Sequence, residues 1–307
     1  MDRNGLDRET LRRLSRRSDL RGSLQLASHA AVLVGTGLLV RAAGAWYWLL
    51  PAMLLHGVVL QSAFCALHET VHRTAFASRR ANEVVGWVCG ALLLLPANYF
   101  RLFHLAHHRF TQDPARDPEL QQAHPDTLRD YLWRASGLPN WSRRVSITLR
   151  HALTGCVAEP FVPVGRQRVI VREARILWFL YLAVALLSLL LHSRAALVYW
   201  ILPVALGQPF LRLYLLSEHI GCAQAGDIYS RTRTTYSNAA VRWLAWQMPF
   251  HAEHHAYPAV PFHALAKVNA QVRSRLAVEA RGYAVLHAGI VRGYRARRRR
   301  DEMKLGI

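Results

Sequence analysis

Apolar runs long enough to cross a membrane recur along this chain, separated by polar stretches rich in arginine. Leu24 to Val40 carries no charge. Arg41 and a small-residue turn follow, and Trp46 to Leu67 is apolar again. As a helix the second run reaches roughly 33 Å, enough for a bilayer core, while the first is near the lower limit. Val84 to Leu95 is apolar but short, and Pro96 follows it, which predicts a re-entrant or partly buried helix. Residues 112–170 are polar and mixed. Ile176 to Leu191 and Ala195 to Leu216 are two more strong runs, joined by a tight His192-Ser193-Arg194 turn. From Ser217 onward the chain is mostly polar and ends in Arg295 and Arg297 to Arg300.

Orientation follows from the basic residues in short connections. The 41–45 and 192–194 loops carry one Arg each, whereas residues 1–23 carry seven. The expected fold is an all-α integral membrane protein: four transmembrane helices, a cytoplasmic helical cap, and both termini in the cytoplasm. Residues 1–23 read as a basic cytoplasmic tail and 24–307 as a single domain. Ala43-Gly44-Ala45 resembles a signal-peptidase site, but the tail is long and the apolar run exceeds a usual signal core, so the first run reads as a retained span. The net charge of +20 suits nucleic acid or an anionic membrane. The apolar runs decide for the membrane, and no nucleic-acid partner is expected. Only Lys267 and Lys304 are lysines. That bias, with abundant alanine, suggests a GC-rich bacterial genome and a bacterial inner membrane. The four cysteines form no CxxC pair or disulfide framework.

The 16 histidines change the picture from membrane protein to chemistry. His68-Glu-Thr-Val-His72 follows the second span, His104-Leu-Ala-His107-His108 the short run, and His251-Ala-Glu-His254-His255 lies after the last span. His219 stands just past that span. Residues at i, i+3 and i+4 share a helix face, so each cluster turns its rings to one side. The topology puts all clusters at one membrane surface. A lone histidine is ordinarily structural, and His29, His56, His124, His151, His192, His263 and His287 are read that way. Three clusters together are not. Imidazole ligates Fe, Zn, Cu and Ni, and nine rings suit two ions with four or five nitrogens each.

HETVH also matches the zinc-protease pattern H-E-x-x-H, with Glu69 as general base. That reading leaves both HxxHH clusters unexplained. A metal transporter or a non-catalytic metal-binding membrane protein would place ligands near the bilayer midplane, whereas these clusters lie past the ends of the apolar runs.

HETVH, HLAHHRFTQDPARDPEL and MPFHAEHHAYPAVPFH resemble the three histidine boxes of the membrane fatty acid desaturase/hydroxylase superfamily. The likeness covers about residues 45–270 and is strongest to a bacterial branch that includes a desaturase of the rhizobitoxine pathway. It implies two non-haem irons that use O2 to remove hydrogen from an unactivated C–H bond. Carried over by motif, the implied ligands are His68, His72, His104, His107, His108, His251, His254 and His255. Members often have one further histidine between the last span and the third box, the place of His219. Some also use an Asn near this ninth ligand; none stands four residues before His219. Glu69, Glu218, Glu253, Asp117, Glu119 and Asp227 are candidate partners for the ligand rings. The implied activity is a fatty acyl desaturase acting on a membrane lipid or acyl chain. A lipid or carotenoid hydroxylase or ketolase shares the boxes and is the alternative. Electrons come from outside. Some members carry a fused cytochrome b5 domain marked by HPGG. That motif is missing from this sequence, so a separate ferredoxin or cytochrome b5 is implied.

Overall fold

The computed structural model describes residues 4–121 and 124–305 and is nearly all-α. Its first two helices, α1 (Arg8–Leu14) and α2 (Asp19–Ala42), are N-capped by Asp7 and Ser18, whose side chains accept from Thr10 N and Arg21 N. Leu6 and Leu14 anchor this arginine-rich segment by burying against the core. Residues 1–3 of the expected tail lie outside the described residues.

α2, α3 (Trp46–His72) and α8 (Val164–Leu190) are each long and apolar enough to cross a membrane. α2 and α8 expose large side chains such as Leu24, Val34, Phe179 and Leu182, a surface that needs a lipid cover. α3 is the central helix. Its first turn exposes Trp46, Tyr47 and Trp48, residues that favour a membrane–water interface. Its last two turns are buried and carry His68 and His72.

The short apolar run forms two helices, α4 (Arg79–Leu92) and α5 (Ala97–Phe110), which are long and apolar enough to cross a membrane only together, as a pair bent by 99°. This matches the expected re-entrant element. Pro96 cannot continue α4 and disfavours helical dihedrals before it. Leu94 takes a left-handed turn with φ 51°. Gly90 makes room, since a Cβ there would sit 2.5 Å from Leu95 O. The carbonyls freed at the break find partners: Tyr181 OH donates to Ala91 O (2.6 Å) and Trp200 Nε1 to Leu92 O (2.8 Å).

The polar middle forms α6 (Leu128–Ala135) and α7 (Leu138–Thr154). The last apolar run is not one uniform span. A π-helical turn, Leu197–Ile201, leads into α9 (Leu202–His219). α9 is not among the helices that qualify alone. It carries Arg212 and Glu218 and packs inside the protein along α3. There the two backbones nearly touch. A Cβ on Gly57 would lie 1.9 Å from Pro203 O, and one on Gly207 2.2 Å from Gly57 O. Gln61 Nε2 donates to Val204 O (2.7 Å) and Gln208 Oε1 (2.6 Å) across the same seam. Three helices are therefore long and apolar enough to cross a membrane, or four if the bent pair counts as one span.

The remainder comprises α10 (Ile228–Arg231), α11 (Ala239–Leu244), α12 (His251–Ala256), α13 (Leu265–Val272) and α14 (Tyr283–Leu305). The all-α expectation misses one feature. β1 (Thr234–Tyr236) and β2 (Glu279–Arg281) pair in parallel, with Thr234 opposite Glu279. Three-residue strands are too short to give a periodic signal. Leu67, Trp246, Met248, Leu265 and Val268 are all but fully buried and lock the α12–α13 segment onto the end of α3.

Candidate metal centre

Four helix segments deliver nine histidines to one place: the end of α3, the second half of α5, the end of α9, and α12. The rings form two groups. His68, His72, His104, His108 and His254 are one; His107, His219, His251 and His255 are the other. Within each group the candidate ligand atoms all lie within 4.8 Å of one another. Helix geometry explains the partition. At about 100° per residue, i and i+4 diverge by about 40°, whereas the i+3 ring lies about 60° to the other side. Each i,i+4 pair (His68/His72, His104/His108, His251/His255) stays together. His107 and His254, at i+3, cross to the other group.

Hydrogen bonding orients these rings. His107 Nδ1 donates to Asp117 (2.9 and 3.1 Å), and His219 Nδ1 donates to Arg231 O (3.1 Å). Both partners are acceptors only, so in the neutral ring each Nε2 carries a lone pair. Yet these two Nε2 atoms lie 3.2 Å apart. His251 Nε2 lies 3.1 Å from His219 Nε2. The Thr111 hydroxyl donates to His107 O (2.8 Å) and so accepts from His255 Nδ1 (3.2 Å), leaving His255 Nε2 buried without a partner. In the other group His104 and His254 place Nε2 at 3.0 and 3.1 Å from His108 Nε2, and His72 Nε2 is buried and unpartnered. Two imidazoles bound to one ion at about 2.1 Å, about 90–110° apart, hold their nitrogens roughly 3.0–3.4 Å apart. The observed spacings fit. Burial first, and neighbouring rings second, hold His251, His254 and His255 well below the usual imidazole range, in the neutral form a metal needs.

The acids divide by role. Asp117 is buried and accepts from His107, Gln112 N (2.8 Å) and Glu119 N (2.9 Å). Burial pushes its carboxyl up, but the bonds from His107 and the two backbone groups outweigh this and hold it low. Glu218 Oε1 is 3.3 Å from His251 Nδ1, and Glu119 Oε2 is 3.8 Å from His107 Nδ1. Glu69 and Glu253 instead bind protein. Glu69 accepts from Thr74 Oγ1 (2.9 Å) and Phe262 N (2.7 Å), tying the first box to the chain beyond the third. Glu253 accepts from Thr234 Oγ1 and Asn269, and burial raises it. Asp227 caps α10, its side chain accepting from Ser230 N.

The fatty acid desaturase family model matches residues 44–286, a stretch that holds all nine histidines. The chain belongs to the fatty acid desaturase family. A sphingolipid delta(4)-desaturase of Drosophila melanogaster is 26% identical over 73% of this chain and 66% of its own length. Dihydrorhizobitoxine desaturase of Bradyrhizobium elkanii is 25% identical over 85% of this chain and 78% of its own. A sphingolipid delta(4)-desaturase/C4-monooxygenase of Rattus norvegicus is 24% identical over 70% and 63%. The chain thus spans just under two thirds of the two animal proteins' length. The family in general uses iron and O2, and the two histidine groups could each hold a metal ion.

For a desaturase-family chain, the residues beside the rings are as informative as the rings. The structure brings His219 to the boxes with a carbonyl partner of its own. Of the six acids singled out in the sequence, only Asp117 hydrogen-bonds a ring of either group. Thr111, Arg231 O, Thr234 and Asn269 are further partners that motif reading missed. Thr111 stands four residues after His107, a helical spacing that could have exposed it. Six of the seven single histidines pair elsewhere: His29 with Val59 O, His56 with Tyr199 O, His151 with Glu159, His287 with Tyr131, His263 with Arg21 and His124 with Gln112; His192 is exposed.

Proposed function

We propose that this chain is an O2-dependent fatty acyl desaturase whose nine histidines hold two irons, five rings on one and four on the other. One observation carries the reading: the two groups of buried imidazoles whose lone pairs converge at metal-ligand spacing. Two irons held there supply the O2-dependent removal of two hydrogens from adjacent methylenes. The protein's part is positional. Asp117 and Arg231 O fix the tautomers of His107 and His219, and Thr111 fixes that of His255. Thr234 and Asn269 hold the Glu253 carboxylate, and with it the third box. A cavity lined by Phe64, Phe100 and Phe103 leads to His107 and His219. It can align an acyl chain and exclude water.

In the net reaction one CH2–CH2 unit becomes CH=CH and O2 becomes two waters. The substrate supplies two electrons and two hydrogens; two further electrons and two protons come from outside. A separate ferredoxin or cytochrome b5 therefore serves as donor. We assign four crossings, with α9 and its π-helical entry as the last, and a single domain from residue 24 to 307. Both termini and the metal centre face the cytoplasm of a bacterial inner membrane. The basic-residue count supports this orientation.

A hydroxylase is the second reading, because the rat relative's name joins desaturase and monooxygenase. Glu69 speaks against the zinc protease: its carboxylate is committed to Thr74 and Phe262 N. The deciding experiment expresses the chain in a host of known lipid composition and compares lipids by mass spectrometry. Loss of two hydrogens supports desaturation. Gain of one oxygen replaces it with hydroxylation. Neither change, in a metal-loaded protein supplied with electrons, sinks both.

A further inference from the structure

The cavity beside the histidines has two chemically different ends. It measures about 190 Å³, and three helices line it with one stripe each. α5 contributes Tyr99, Phe100, Phe103 and His107, in order from the bend toward the metal centre. α9 contributes Arg212, Leu215, Leu216 and His219, the spacing of a single helix face. α7 contributes Asn140, Arg143, Arg144, Ile147 and Thr148, again one face. Arg144 reaches the backbone at the α4–α5 break, donating to Leu93 O (3.3 Å). Arg212 stands seven residues before His219, about 10 Å along the helix axis. Arginines thus occupy one end and imidazoles the other, with aromatic and leucine side chains between.

Arg144 and Arg212 are under-compensated. The carboxylates lining the cavity are Asp117 and Glu119, and both of these face His107. Arg212 makes no side-chain hydrogen bond or ion pair among the described residues, and its Nε is buried without a partner. Glu119 and Glu218 act on it only at longer range. Arg144 forms no ion pair among the described residues either. Burial, and then the nearby charge of Arg212, lower Arg144 only to about 10, so it stays charged at neutral pH. Two guanidiniums with spare donors lining one cavity are costly unless an anion joins them. Guanidinium is also the group best suited to bind carboxylate or phosphate through paired N–H donors.

We propose that Arg144 and Arg212 form an anion site, and that the substrate is a single acyl chain carrying a carboxylate or phosphate head. The head sits between the two guanidiniums, and the methylenes run past Phe100 and Phe103 toward His107 and His219. This rests on the acyl-desaturase reading and narrows its substrate class to anionic amphiphiles.

The test measures binding without turnover. Radiolabelled dodecanoate, dodecyl phosphate and dodecanol are equilibrated with the protein in nanodiscs of neutral phosphatidylcholine, with empty discs subtracted. One or both anions should bind at least about tenfold tighter than the alcohol. Arg144→Gln and Arg212→Gln should each weaken the favoured anion about 10- to 100-fold and leave dodecanol unchanged. Arg129→Gln, the same charge change at an exposed position, should alter nothing. Preference for dodecanoate identifies a carboxylate head, and preference for dodecyl phosphate a phosphate head. Should dodecanol bind wild type as tightly as both anions, the anion site is wrong. Equal loss of all three probes in folded variants says the same. Melting temperature and metal content report whether each variant is folded; if one is not, the wild-type comparison decides. A chain that selects anions but forms no product sinks only the desaturase reading. A chain that forms product but ignores head charge sinks only this one.

Discussion

Asp117→Asn isolates the contribution of one carboxylate to the metal centre. The wild-type carboxylate meets three donors: His107 Nδ1 at 2.9 and 3.1 Å, Gln112 N at 2.8 Å and Glu119 N at 2.9 Å. An ionised carboxylate can accept all of them. Asparagine keeps one oxygen and turns an NH2 toward a donor. At least one buried N–H is left facing another, at about 1–3 kcal/mol. If the lost acceptor is the one for His107, the ring is free to adopt the other tautomer and points an N–H at the metal. Outer partners of ligand histidines are typically worth 10–100-fold in metal affinity, about 1.4–2.8 kcal/mol. The assay is iron content against chelator concentration, read with the melting temperature of the metal-free protein. Asp117→Asn should release iron at about 10–100-fold lower chelator and melt lower. Asp113→Asn is the control: Asp113 pairs with Arg116 at the surface, and the change should cost under about 0.5 kcal/mol. If Asp117→Asn holds both irons at the wild-type chelator midpoint, the argument from His107 tautomer to metal affinity is refuted.

His219→Ala should lose metal about as severely as His255→Ala, whereas His263→Ala, whose ring pairs with Arg21, should keep wild-type metal content; full retention in His219→Ala would remove it from the site. Gly57→Ala or Gly207→Ala forces α3 and α9 apart, since the new Cβ would lie 1.9 or 2.2 Å from a carbonyl group that tolerates no closer than about 3.0 Å. Each should lower stability by about 1–3 kcal/mol or more, while Gly35→Ala, with open space around it, should not; thermal melts in detergent compare the three. His251, His254 and His255 have depressed values in the fold, so their neutral rings stabilise it above the ordinary 6.5, and that contribution falls as pH drops below it. The melting temperature of the metal-free protein between about pH 8 and pH 5 should be flat at the alkaline end and fall below about 6.5; a rise on lowering the pH would contradict the sign. Single cysteines at Ala43 and Ser193 should react with an impermeant thiol reagent from outside the cell, and one at Gln121 should not; the reverse pattern would invert the proposed topology.

Much of the metal centre was legible in the sequence because a helix converts spacing into direction. HxxxH and HxxHH must turn their rings to one side, whatever the fold. Even the split into five and four is implicit in the i+3 and i+4 offsets, although it becomes visible only once the four segments converge. The apolar runs likewise announced α2, α3 and α8, and Pro96 announced the break after α4. Tertiary structure decided what depends on long-range partners. Glu69 and Glu253 sit beside box histidines in the sequence yet turn away from the rings, because Phe262 N, Thr234 and Asn269 approach from distant segments. Asp117, nine residues past the last histidine of its box, turns toward the ring because the loop after α5 folds back on it. Hydropathy does not show that the last apolar run divides into a π-helical turn and α9, or that Arg212 within it lines a cavity inside the protein. The β1–β2 ribbon escaped notice for a related reason: its partners lie more than forty residues apart, and only packing brings them together. Local geometry was fixed by local spacing. Which neighbour each polar group would meet was a property of the whole chain.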